Sequence, residues 1–185
     1  MLLPGQNAMH RYDITARAFK QKLKSLMSFI TKLHVSGPTR CWIYLFEWQK
    51  QGLPHAHILI WLVDKTCPEE IDRVISEDLA DLSTDQLLFD IVTTNMIKKS
   101  LSPCRADVYS VLLKIATKRT ITGVAGYPTY RRRNTDNGRQ SITQIIYNPD
   151  IDNHCVVPYS LLLSKIFNSH IIVEFCSLVN SIKYI

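Results

Sequence analysis

Between Ile14 and Val35 the apolar positions recur at steps of three and four: Phe19, Leu23, Leu26, Phe29, Ile30 and Leu33. That period gathers them on one stripe and predicts an amphipathic helix over 14–35, with Asp13 as its N-cap. Lys20, Lys22 and Lys24 fall mostly off the stripe, and Ser36-Gly37-Pro38 ends the helix. The period then changes. Cys41 to Glu47 (CWIYLFE) is dense in aromatic and apolar residues and predicts a strand, as does His55 to Val63 (HAHILIWLV). Gln51-Gly52-Leu53-Pro54 supplies the turn that joins the two into a hairpin.

Further along, Pro68 and two glutamates open a helix expected over Cys67 to Leu79. A second is expected over Thr84 to Lys98, and Val108 to Lys118 reads as either helix or strand. Gly123 to Asn153 carries loop punctuation in GYPTYRRRN and NPDIDN. His170 to Phe175 (HIIVEF) predicts a strand, and Ser177 to Ile185 the start of a last helix. With no internal repeat or flexible linker, the expectation is a single α+β domain over 1–185, an antiparallel sheet with flanking helices.

Composition narrows the function classes. With 46% hydrophobic and 21% charged residues, the chain has the make-up of a soluble globular protein. A net charge of +6 tilts it towards an anionic partner such as nucleic acid. The cations gather around Lys20, Lys22, Lys24 and Lys32 and in Arg131-Arg132-Arg133, where a solvated face is the ordinary explanation. Five widely spaced cysteines without a CxxC pair form neither a disulfide framework nor a zinc motif, which points to a reducing, intracellular compartment. No apolar run reaches the ~18 residues of a membrane span, so no membrane partner is expected.

The candidate chemistry lies in EWQKQGLPHAHILIW, Glu47 to Trp61. On a strand, residues two apart share a face, so His55 and His57 project together while Ala56 points away. Two neutral imidazoles side by side hold a divalent ion if a third ligand joins them. Glu47 and Gln49 share a face of the preceding strand, and either reaches the ion if the register allows. Glu47 is the better donor, because its carboxylate brings negative charge. The alternative stays open at this point: two histidines satisfied by hydrogen bonds in a half-buried strand.

The wider wording carries a resemblance. FEWQKQGLPHAHILIWL resembles the EFQKRGLPHAHIL signature of the Helitron helicase-like N-terminal domain. That domain is the replication-initiator (Rep) part of Helitron rolling-circle transposases, within the HUH endonuclease superfamily. RYDITARAFKQKL is similar to the family's RPD-x-x-ARVF segment, and PEEIDRVIS to the stretch after its second strand. GYPTYRRR is similar to its GYP-x-YRRR element, VVPYSLLL and FNSHIIVEFC to its VVPYN-x-LL … HINVE stretch, and SIKYI to the start of IKYLFKYI-x-KG.

The resemblance implies a Rep-like palm and a nuclease that cuts single-stranded DNA through a tyrosine during rolling-circle transposition, in the nucleus. His55 and His57 match the His-hydrophobic-His motif and would hold Mg²⁺ or Mn²⁺, with Glu47 (or Gln49) as third ligand. Tyr184 matches the first tyrosine of the two-tyrosine motif and would attack phosphorus, leaving a 5′-phosphotyrosine and a free 3′-hydroxyl. Arg131, Arg132 and Arg133, with Tyr127 and Tyr130 before them, would contact phosphates and bases of the strand.

Two departures go with it. Where the family has the cysteine-rich pattern MIHGPC … CM … C-x-K-x-FP, this chain reads MIKKSLSPCRADVYSVLLKIATK, with Lys98 in the histidine's place and Cys104 alone. A structural zinc is therefore not expected there. The chain also stops one residue after Tyr184, so the expectation is a Rep domain truncated at its C-terminus, without the helicase that full-length relatives carry. Two other classes remain beside the nuclease: a single-stranded DNA-binding transposon remnant without chemistry, and a hydrolase that activates water at His55, His57 and Glu47.

Overall fold

The computed structural model describes residues 11–49, 53–64, 66–97, 118–123, 128–132 and 153–176. The architecture is α+β, with helices and small antiparallel two-stranded sheets. The chain divides into two compact units at Lys65/Thr66.

In the first unit, helix α1 (Tyr12–Thr31) precedes strands β1 (Thr39–Trp48) and β2 (Pro54–Leu62). The helix begins two residues before the position expected and buries Met27 and Ile30. Its N-cap is Arg11, not Asp13, and no side chain caps the first turn. Asp13 lies inside that turn because a guanidinium competes for its carboxylate: Arg11 Nε and Nη2 each donate to it at 3.0 Å. Arg11, with a smaller contribution from Arg17, holds the Asp13 carboxyl down to about 2. The helix unwinds through His34 and Gly37, both at positive φ (50° and 110°), where glycine is the residue that meets no penalty.

The two strands pair antiparallel, with Trp42 opposite Ile60, Phe46 opposite Ala56 and Glu47 opposite His55. One face of β1 presents Trp42, Tyr44, Phe46 and Trp48, a ladder that suits the pleat. Trp42 stacks on Tyr44 at 5.7 Å between centroids, and Phe46 meets Trp48 edge-on at 5.6 Å. Helix α1 leans on this face through Phe19 against Phe46 (5.6 Å) and Tyr12 against Trp48 (6.1 Å).

The second unit holds helix α2 (Pro68–Val74), strand β3 (Ile75–Ser76), helix α3 (Gln86–Asn95), strands β4 (Ile121–Thr122), β5 (Pro128–Thr129) and β6 (Tyr159–Ser160), and helix α4 (Leu161–Phe167). Cys67 N–H donates to Glu70 Oε2 at 2.8 Å at the start of α2. That helix stops at Val74 instead of Leu79, because Ile75 and Ser76 pair with Ser160 and Tyr159. Asp85 caps α3, accepting from Leu88 N–H at 3.2 Å, and Ser160 caps α4. Leu79, Leu88, Phe89, Val92, Met96, Val156, Val157 and Tyr159 close into one core cluster. Each such side chain removed from water contributes about 1.5–3 kcal/mol. The Tyr159 hydroxyl donates to the Asp78 carbonyl at 2.9 Å, so the largest buried ring leaves no orphaned polar atom.

The strand expected over His170 to Phe175 is reduced to a single bridge between Ile172 and Tyr159. Its partner β6 is only two residues long and passes straight into α4, which limits the ladder among the described residues. The expectations for most of Val108 to Lys118 and for a helix from Ser177, and the positions of Lys98 and Cys104, lie outside the described residues.

Candidate metal centre

The hairpin register decides what meets what. Glu47 stands opposite His55, and Leu45 opposite His57, so Glu47, His55 and His57 share the face turned away from Phe46 and Trp48. His57 Nε2 lies 3.4 Å from Glu47 Oε1. The two imidazole centroids are 4.7 Å apart, with their planes at 72°. One donor atom from each of the three residues lies within 4.8 Å of the others. Among the described residues this is the one such group of three.

The donor set fits a small divalent ion. Donors around an ion bound at 2.0–2.2 Å are spaced by about 3 Å, so the trio needs only modest side-chain closure. Two imidazole nitrogens and one carboxylate oxygen leave coordination positions for solvent or a phosphate oxygen. The His57 and Glu47 side chains are 32% and 49% exposed, so the donors are reachable from solvent. Gln49 follows the last residue of β1, and its backbone N–H donates to the Leu53 carbonyl at 3.0 Å, closing the turn.

The residues expected to contact DNA divide in an unexpected way. Arg131 is exposed, and its backbone N–H donates to Thr120 Oγ1 at 3.0 Å. Arg132 is buried and ion-paired with Glu77, a partner fifty-five positions earlier that no local pattern announces. Tyr130 is buried as well. Its hydroxyl accepts from Phe175 N–H at 2.7 Å, and burial pushes its phenol well above the usual range. Tyr130 and Arg132 thus serve the interior of the second unit, because the extended backbone turns neighbouring side chains to opposite sides. Tyr127, Arg133 and Tyr184 lie outside the described residues.

A helix leaning on a hairpin, with a histidine pair and a carboxylate on its free face, describes a small α+β module with a candidate cation site. Residues 1–60 match the family described as the Helitron helicase-like domain at N-terminus. The matched segment contains α1, β1 and all three donors. No curated protein matches it.

Proposed function

We propose that this chain is a metal-dependent endonuclease and strand transferase for single-stranded DNA, built on the HUH palm and acting in the nucleus in rolling-circle transposition. The observation that carries this reading is the convergence of Glu47, His55 and His57 on one hairpin face, inside the segment that matches the Helitron family.

Glu47, His55 and His57 hold and orient Mg²⁺ or Mn²⁺, which when bound neutralises charge on the phosphate oxygens. Tyr184 supplies the nucleophile. A free phenol, with a pKa of ~10, is a weak nucleophile at neutral pH, so positioning and charge neutralisation carry much of the rate. Its oxygen attacks phosphorus in line, a Tyr–O–P bond forms as the P–O3′ bond breaks, and the phenolic proton ends on the released 3′-hydroxyl. The 5′-phosphotyrosine keeps the energy of the broken bond for rejoining to another strand. Arg131, which is exposed, is available to the strand's phosphates.

The test is incubation of the protein with 3′-labelled single-stranded DNA and Mn²⁺. A covalent protein–DNA adduct is expected from the wild type, and none from Tyr184→Phe or His57→Ala. Salt-sensitive binding without adduct would instead identify a DNA-binding remnant. Cleavage that survives Tyr184→Phe without an adduct would identify a water-activating hydrolase.

A further inference from the structure

The charge of this protein is concentrated in one place. From Ile14 to Phe46 there are six lysines and arginines and not one aspartate or glutamate. The chain's net charge is +6, so everything outside this stretch sums to neutral. Within it, Arg17, Lys20, Lys24 and Lys32 are all exposed. At 100° per residue the four fall within an arc of about 120° on α1 and its C-cap, and at 1.5 Å per residue they span about 22 Å. The arc excludes the buried Met27 and Ile30, and it excludes Phe19, which packs on Phe46. Arg17 shares its charge with Asp13 at 3.5 Å, and Lys20, Lys24 and Lys32 continue the row.

We propose that this row is a sequence-independent binding track for the phosphate backbone of nucleic acid, separate from the metal centre. Glu47, His55 and His57 lie on the opposite face of the hairpin from the aromatic residues that α1 packs against. A strand held at the donors therefore reaches the track only by passing round the hairpin, and the track takes DNA that flanks the reacting segment. A row of cations at helical spacing on a rigid element suits a repeating polyanion. An acidic membrane is the poorer fit, because Phe19 on the apolar stripe packs on Phe46, and Met27 and Ile30 are buried.

Binding of a fluorescent single-stranded oligonucleotide and of a blunt duplex, measured from 50 to 300 mM salt without divalent ion, tests this. The variant Lys20→Gln/Lys24→Gln/Lys32→Gln is expected to bind about tenfold more weakly and to lose about two units of log–log salt slope on the single strand, at about 0.7 per phosphate contact. A control with the same charge loss among exposed residues of the second unit, Arg73→Gln/Lys118→Gln/Arg119→Gln, is expected to keep most of the slope. Equal losses in both variants, or no loss in the first, overturn the track. So does binding to phosphatidylserine vesicles as tight as to DNA. The triple lysine variant keeps its Mn²⁺ binding, and His55→Ala/His57→Ala keeps its metal-free DNA binding, so failure of the track and failure of the metal centre read out separately.

Discussion

Each unit carries a carboxylate beside a basic side chain, and the two pairs live under different rules. Glu47 is 49% exposed beside His57, whereas Glu77 is 11% exposed against Arg132, itself at 8%. Water screens the first pair, so its attraction is small and its partners are free to exchange for an ion or a substrate. The second pair has been stripped of most of its water, so removing one member leaves the other charge buried at a cost. Among the described residues Arg132 Nε and Nη1 meet no hydrogen-bond partner, and Glu77 is the carboxylate paired with its guanidinium. Similar residue chemistry is thus open to solvent in one unit and part of the interior in the other, and accessibility is what separates them.

Cutting each pair in the same way is the sharpest test of that contrast. Glu77→Ala is expected to destabilise the second unit by about 3–5 kcal/mol, the cost of an uncompensated buried charge, measured by urea unfolding with far-UV circular dichroism. Glu47→Gln is expected to cost no more than about 1 kcal/mol in the first unit. All three tryptophans, Trp42, Trp48 and Trp61, belong to that unit, so their emission follows it. Mn²⁺ affinity, read by titration calorimetry, should nevertheless fall at least tenfold in Glu47→Gln. Comparable stability losses in the two variants would break the comparison.

Smaller effects refine it. Phe46→Ala removes the ring that touches both Phe19 and Trp48, and because it is 40% exposed the expected loss is about 1–2 kcal/mol, followed by tryptophan emission. Tyr130→Phe leaves Phe175 N–H without its acceptor and is expected to cost about 1 kcal/mol in thermal unfolding of the second unit. The smallest effect is a pH dependence. The Lys165 ammonium, followed by Leu88 N–H, holds the Asp85 carboxyl below its ordinary value. A depressed carboxyl stabilises the fold above the unfolded value of about 4, and that share is lost as pH falls through the lower folded value. Asp85→Asn should therefore flatten the acid limb of a melting-temperature profile and leave the neutral region less stable than wild type.

Much of the first unit was legible in its letters. The change from apolar positions at steps of three and four to dense aromatic and apolar runs separates α1 from the strands, and on a strand the spacing puts His55 and His57 on one face. The register that brings Glu47 opposite His55 needed the backbone, because strand ends and turn length set it. The second unit was less legible. Ile75 continues the apolar rhythm of a helix, yet pairing with Ser160 takes it into a strand, a tertiary contact overriding local preference. Two-residue strands such as Tyr159–Ser160 are too short to show any period. In Tyr130-Arg131-Arg132, exposed and buried positions are set by backbone direction and by a glutamate far away in sequence, and neither is written in the run itself.

The hairpin has one further consequence, for how its length is constrained. Because its side chains alternate, the aromatic face and the donor face are interleaved along the same ten residues of β1. Inserting one residue between Trp42 and Glu47 would carry Glu47 to the helix side and bring an aromatic ring among the histidines. Inserting two would restore the side but slide the carboxylate along the strand by about 7 Å, away from His55. Parity and distance are therefore fixed together, and the strand tolerates a change of letter at several positions far better than any change of count.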